Sequence, residues 1–168
     1  LKSDRLPPEA AQPAEAAPAL AMAWRILLVS RSLLQAARIP AFDAGRVLQA
    51  WPDGERPGLW QVRVAVPIID LFPARCIMLA LDAAIKAVLW GEAHCRAPRN
   101  IDELYAQIEE QLLRPLHAMG LSGISTLPIL GAAHRLGIPF RHLGAGVYQL
   151  GWGGNARIMD RSSVDADS

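Results

Sequence analysis

Between Asn100 and Gly120 the apolar residues Ile101, Leu104, Tyr105, Ile108, Leu112, Leu116 and Met119 recur at steps of three and four. That spacing puts them on one side of a helix. A one-sided helix must bury its stripe against another element, so the chain needs a layered fold. Asn100 is suited to cap the free N–H groups, with Glu103 three residues on as its capping-box partner. Pro115 is expected to kink the last turn.

Around that helix the chain alternates between helical and extended patterns. Residues 1–18 carry Pro7, Pro8, Pro13 and Pro18 among alanines and glutamates, and read as a flexible tether with nothing to anchor a core. From Ala19 to Arg38 the pattern is helical, with Trp24, Leu27, Leu28, Leu34 and Ala37 on one broad face and Pro40 as the stop. Arg46–Trp51 and Leu59–Val66 read as two strands joined by the turn signals Pro52-Asp53-Gly54 and Pro57-Gly58. Val62, Val64 and Val66 alternate with Gln61, Arg63 and Ala65, which predicts one buried face. Pro73 opens a helix that Gly91 is expected to end, with Arg75, Asp82 and Lys86 as its one solvated stripe. A further helix over 127–136 is capped by Ser125 or Thr126 and ended by Gly137. Ile138–Leu143 then reads as a short strand completing the second half of an α/β unit. Val147–Leu150 and Arg157–Met159 read as a hairpin around a glycine-rich turn.

The expected fold class is therefore α/β: a small mixed sheet with about four helices, followed by a β-hairpin. The expected organisation is a tether over 1–18, an α/β domain over 19–143, and a hairpin unit over 144–168. Apolar residues make up 52% of the 168, enough for a core. The formal net charge of +1 gives no reason to expect nucleic acid or an anionic membrane as partner. The most apolar run, Leu20–Leu34, is interrupted by Arg25, Ser30 and Arg31, so no membrane span is expected. Two cysteines, Cys76 and Cys95, fit reduced thiols and a cytoplasmic protein. Both ends look cut, as in a piece from the front of a larger protein.

Motifs that carry chemistry are sparse. Gly144, Gly146, Gly151, Gly153 and Gly154 are followed by a strand pattern with no lysine, so tight turns are favoured over a phosphate cradle. His94, His117, His134 and His142 lack metal-ligand spacing, and no metal is expected. Ser122 and Ser125 flank Gly123 without a nucleophile-elbow pattern. Arg96, Arg99, Arg135, Arg141 and His142 are candidates for a basic patch that would hold an acidic polymer or a carboxylate-bearing peptide; the alternative is a solvated surface.

The stretch from Ser125 to Phe140, STLPILGAAHRLGIPF, resembles the helix and short strand that precede the ligase domain of cyanophycin synthetases. Tyr148–Gly153, YQLGWG, resembles their strand of the form VQLGYG. The similarity covers about residues 120–168, and residues 19–119 carry no quotable motif. The resemblance implies that the hairpin begins an ATP-grasp ligase domain, which joins a carboxylate to an amine through an acyl phosphate. It implies ATP and magnesium for the parent enzyme, with no cofactor held by this chain, whose lysines are only Lys2 and Lys86. The family's arm, rich in Gln and Arg, reads here Gly154–Asp160 as GNARIMD, which leaves the substrate open. The family's Thr-Ser pair, which lies at the substrate-chain end of the site, falls on Asp167-Ser168 without a gap, or on Ser162-Ser163 with a gap of about five residues. Ser168 or Ser163 would then donate to a substrate carboxylate, with Arg161 as charged partner. The expected function is a non-catalytic N-terminal part of such a ligase. Its partners would be its own downstream ligase domain and a peptide or polymer substrate. The alternative is a stand-alone peptide-binding or homo-oligomerisation module.

Overall fold

The computed structural model describes residues 14–70, 72–94, 101–121, 123–160 and 163–164. Among the described residues the fold is α/β, with four helical segments and two small sheets, and every strand pair is antiparallel. Helix α1 spans Ala17–Ala36 after a single 3-10 turn at Ala14–Ala16. The expected tether is therefore too long: residues 14–18 are helical, and Ala16 is fully buried. Alanine favours helix and needs little room in a core, and Pro18 sits in the first turn, where a missing N–H costs nothing. Residues 1–13 of that tether lie outside the described residues. Arg38 ends α1 in the left-handed conformation, with φ at 63°. Its guanidinium donates to the Gly123 carbonyl and its own carbonyl accepts Leu121 N–H at 2.9 Å, so the strained residue ties the end of α1 to Leu121 and Gly123.

The segment Ala14–Ala36, 23 residues with a mean hydropathy of 1.3, is long and apolar enough to cross a membrane by length and composition. The sequence reading took Arg25, Ser30 and Arg31 to interrupt Leu20–Leu34, whereas the helix as a whole passes on length and composition. Here α1 lies along α2 (Ala74–His94), with Leu27, Ser30 and Leu34 buried and Arg25 bonded to Glu92 at 2.6 Å. Gly91 does not end α2 as expected. It has no positive φ and lies three residues inside the helix. A glycine costs a helix only about 1 kcal/mol relative to alanine. The Arg25–Glu92 pair and the stacked Trp90 and His94 rings, 4.6 Å apart, lie on either side of it. Asp82 and Lys86 form the expected exposed pair at 2.7 Å. The helix is not buried all round, since Met78, Leu79, Ile85 and Leu89 are exposed.

Strands β1 (Arg46–Pro52) and β2 (Trp60–Ala65) form the predicted hairpin, in the register Val47 to Val64 and Trp51 to Gln61. Asp53 holds its turn: Oδ1 accepts the N–H groups of Glu55 and Arg56, and Oδ2 accepts from the Arg56 guanidinium at 2.8 Å. That guanidinium keeps the Asp53 carboxyl below the usual carboxylate range. The valine face is only half covered, with Val62 partly buried and Val64 exposed.

The helix of the long stripe is three pieces in one run: α3 (Ile101–Ile108), a π turn (Glu109–Leu113) and α4 (Arg114–His117). The kink expected at Pro115 is expressed as this widening. The proline has no N–H to give and its ring would strike the Gln111 carbonyl, so the turn before it opens and Arg114 N–H reaches the Glu109 carbonyl. The expected cap Asn100 lies outside the described residues. Leu112 and Leu116 enter a core with Leu34, Ile39, Cys76 and Ala80, while Ile101 and Tyr105 stay exposed.

Helix α5 (Thr126–Arg135) begins after Ser125, whose side chain makes no cap bond because its backbone is already helical, at φ −84° and ψ −16°. Gly137 ends it as expected, at φ 68°. Strands β3 (Phe140–Gly144), β4 (Val147–Leu150), β5 (Arg157–Asp160) and β6 (Ser163–Val164) then run as an antiparallel meander. The helix, glycine stop and short strand expected here form as α5, Gly137 and β3, and the hairpin expected from 147–150 and 157–159 forms as β4 and β5. Ala145 and Gly146, at φ 50° and 83°, turn β3 straight back into β4, and a parallel return would need a dozen residues or more. The boundary expected between 143 and 144 falls inside β3. Tyr148 and Met159 pack with Leu121 and Leu130 in a second core, and Phe72 touches both cores.

Candidate functional site

Where the two cores meet, a cleft of about 230 Å³ opens between the loops after α1 and β2 and the face of the β3–β4 hairpin. Pro40, Phe42, Pro67, Ile68 and Phe140 supply its apolar walls. Ile68 is 90% exposed, an unusual setting for isoleucine. The polar lining comes from Asp43, Asp70, His134, His142 and Tyr148, drawn from four separate parts of the chain.

His142 and Tyr148 face each other across the hairpin as a register pair, their rings stacked at 4.4 Å and 9°. Gly146 N–H donates to His142 Nε2 at 3.3 Å, which leaves the ring proton on Nδ1. Neither His142 Nδ1 nor the Tyr148 hydroxyl has a hydrogen-bond partner among the described residues, and both atoms are buried. Burial pushes the His142 imidazole below its ordinary value, and the nearby Asp70 carboxylate partly offsets this. Burial alone pushes the Tyr148 phenol up to about 12. Both rings are thus neutral at pH 7 and present hydrogen-bond donors. Asp43 Oδ1 accepts Gly45 N–H at 2.8 Å. The His134 ring stacks on Phe42 at 5.5 Å, closing one wall.

A buried hydroxyl without a partner costs roughly 1–3 kcal/mol. Tyr148→Phe is therefore expected to raise the stability of the ligand-free protein by about 1 kcal/mol, although large buried rings normally tolerate no change. Urea unfolding at pH 7 checks this, and a loss of stability would mean that the hydroxyl is satisfied.

The residues singled out in the sequence fare differently. Arg135 lies exposed at the end of α5 and Arg141 exposed on β3, opposite Gln149. Arg96, Arg99, Arg161 and Ser168 lie outside the described residues. Ser163 pairs with Asp160 at the β5–β6 turn. His142 does not join a surface patch, because its place in β3 turns the ring inward under Tyr148. Asp43, Asp70 and Tyr148 escaped the sequence reading. Only the alternation of β3 and β4 hinted that positions 142 and 148 share a face. Among the described residues no group of three or more His, Cys, Asp or Glu converges as a metal-ligand set. The glycines of the turns, at φ 106°, 83°, 75° and 60° for Gly144, Gly146, Gly151 and Gly153, serve tight reversals of the chain. Comparison with protein-family models gives no match to this chain, and comparison with curated proteins gives none either.

Proposed function

We propose that this chain is a non-catalytic N-terminal part of an ATP-dependent carboxylate–amine ligase resembling the cyanophycin synthetases, and that it works in the cytoplasm. Its role in that reading is to support the ligase core and hold the substrate chain. The observation that carries the reading is the pair of resembling stretches, Ser125–Phe140 and Tyr148–Gly153, which form α5, β3 and β4 and share one core through Leu130 and Tyr148. Ser163 or Ser168, with Arg161, would meet the carboxylate end of the substrate chain, and Arg96, Arg99, Arg135 and Arg141 would meet an acidic polymer. ATP and magnesium would be held by the downstream domain.

The test compares residues 1–168 with the full parent protein. The isolated chain is expected to show no ATP hydrolysis and no micromolar ATP affinity, which would need about 8 kcal/mol of contacts. The parent is expected to release phosphate only when both a carboxylate and an amine are supplied. Tight ATP binding by the isolated chain, or a parent without ATP-dependent amide formation, overturns the reading.

A further inference from the structure

The polar lining of the cleft is of two kinds. His142 Nδ1–H and the Tyr148 hydroxyl are donors without acceptors, and each sits in a setting where an unmet polar group is costly. Asp43 and Asp70 add two carboxylates to the same lining, both on exposed residues. An anion alone would satisfy the donors but meet two negative charges. A cation alone would suit the carboxylates but leave both donors unmet. A small molecule carrying both ends answers the whole lining. The volume of about 230 Å³ lies below the roughly 300 Å³ at which pockets for drug-sized ligands begin, which limits the occupant to about the size of one residue. The walls of Phe42, Pro67, Ile68 and Phe140 favour an apolar body between the two ends.

We propose that this cleft binds a free aliphatic α-amino acid. Its carboxylate accepts from His142 Nδ1–H and Tyr148 O–H, which lie just under the cleft wall and are reached as that wall yields to the ligand, and its ammonium faces Asp70 and Asp43. The stacked pair fixes the donors: the His142 ring is held by Gly146 N–H on one nitrogen, so the other can only donate. Asp70 and Asp43 line the same cleft of about 230 Å³ as His142, so both ends of an occupant lie within about one residue's length of each other. The ammonium would therefore sit beside the carboxylate it belongs to, as in an α-amino acid, and not at the far end of a long chain. The inference rests on the cleft and does not require the ligase reading.

Calorimetric titration of the chain with L-leucine, N-acetyl-L-leucine and L-leucinamide tests it. L-leucine is expected to bind at sub-millimolar to millimolar concentration. Acetylation removes the ammonium and amidation removes the carboxylate, and each is expected to weaken binding at least about tenfold, the effect of losing one charge-assisted contact. Asp70→Asn, on an exposed residue, is expected to weaken binding by a similar factor without altering the fold. Tyr148→Phe is expected to weaken binding while leaving the thermal midpoint unlowered. Histidine ring nitrogen shifts, followed by NMR on adding L-leucine, report on His142 without any substitution. The proposal is overturned if no aliphatic amino acid binds at millimolar concentration. It is equally overturned if the two blocked derivatives bind as well as leucine, or if the His142 ring signals do not move.

Discussion

Leu112→Asp is expected to unfold this protein or bring it close to unfolding. Leu112 is 2% exposed and packs among Leu34, Ile39, Cys76, Ala80 and Leu116, where the two long helices meet the π turn. Truncating a buried leucine alone costs about 2–5 kcal/mol. A carboxylate there also loses its hydration, with no cation in the cluster to answer it. A total of about 5 kcal/mol is comparable to the whole stability of many domains. In a chain of this size it corresponds to a fall in melting temperature of about 10 °C or more. The paired control is Tyr105→Asp. Tyr105 belongs to the same stripe of the sequence but is 62% exposed, so its change is expected to stay within about 0.5 kcal/mol. Thermal unfolding of both variants checks the assignment. Equal effects would mean that the stripe is buried along its full length.

Gly45→Ala carries the second large effect, from backbone and not from burial. Gly45 stands between the Asp43 turn and β1 with φ at 92°, a conformation that side chains rarely adopt. A Cβ there would overlap the Ala65 carbonyl oxygen and sit 3.1 Å from Val66 Cα, both at the end of β2. Neither neighbour is a flexible side-chain tip, so one of the two strands must move. Unfavourable φ alone costs about 1–3 kcal/mol, and the clash adds to it, for an expected loss of at least about 3 kcal/mol. Gly54→Ala, in the hairpin turn with open space around it and no positive φ, is the control and is expected to be near neutral. Denaturant midpoints for the two variants decide the matter, and the assigned backbone is wrong if they coincide.

Much of the local structure could be read directly. The turn at Asp53, the stop at Gly137 and the reversals at Gly144 and Gly146 rest on bonds between near neighbours, and a residue with a special φ announces them. The Leu112 and Leu116 stripe was legible for the same reason, because a helical face repeats within a few residues. Local rules failed where tertiary contacts outweighed them. Gly91 should have ended α2, but the turns around it are held by Glu92 on Arg25 and by stacked rings. Ala16 looked like part of a tether, and its burial depends on elements that follow it. Tyr105 and Ile101 belong to the stripe but project beyond the surface it packs on.

The sequence by itself determined the α/β class, the positions of the strands and most helices, and the sharp reversals of the chain. Only the tertiary structure decided that the second sheet is an antiparallel meander. Only it decided that Asp43, Asp70, His142 and Tyr148 line one cleft. The reason is that helices and turns are settled by bonds a few residues long, whereas a cleft is settled by which distant loops are carried together when two hydrophobic cores close. Phe72, packed against both cores, marks where that closure happens.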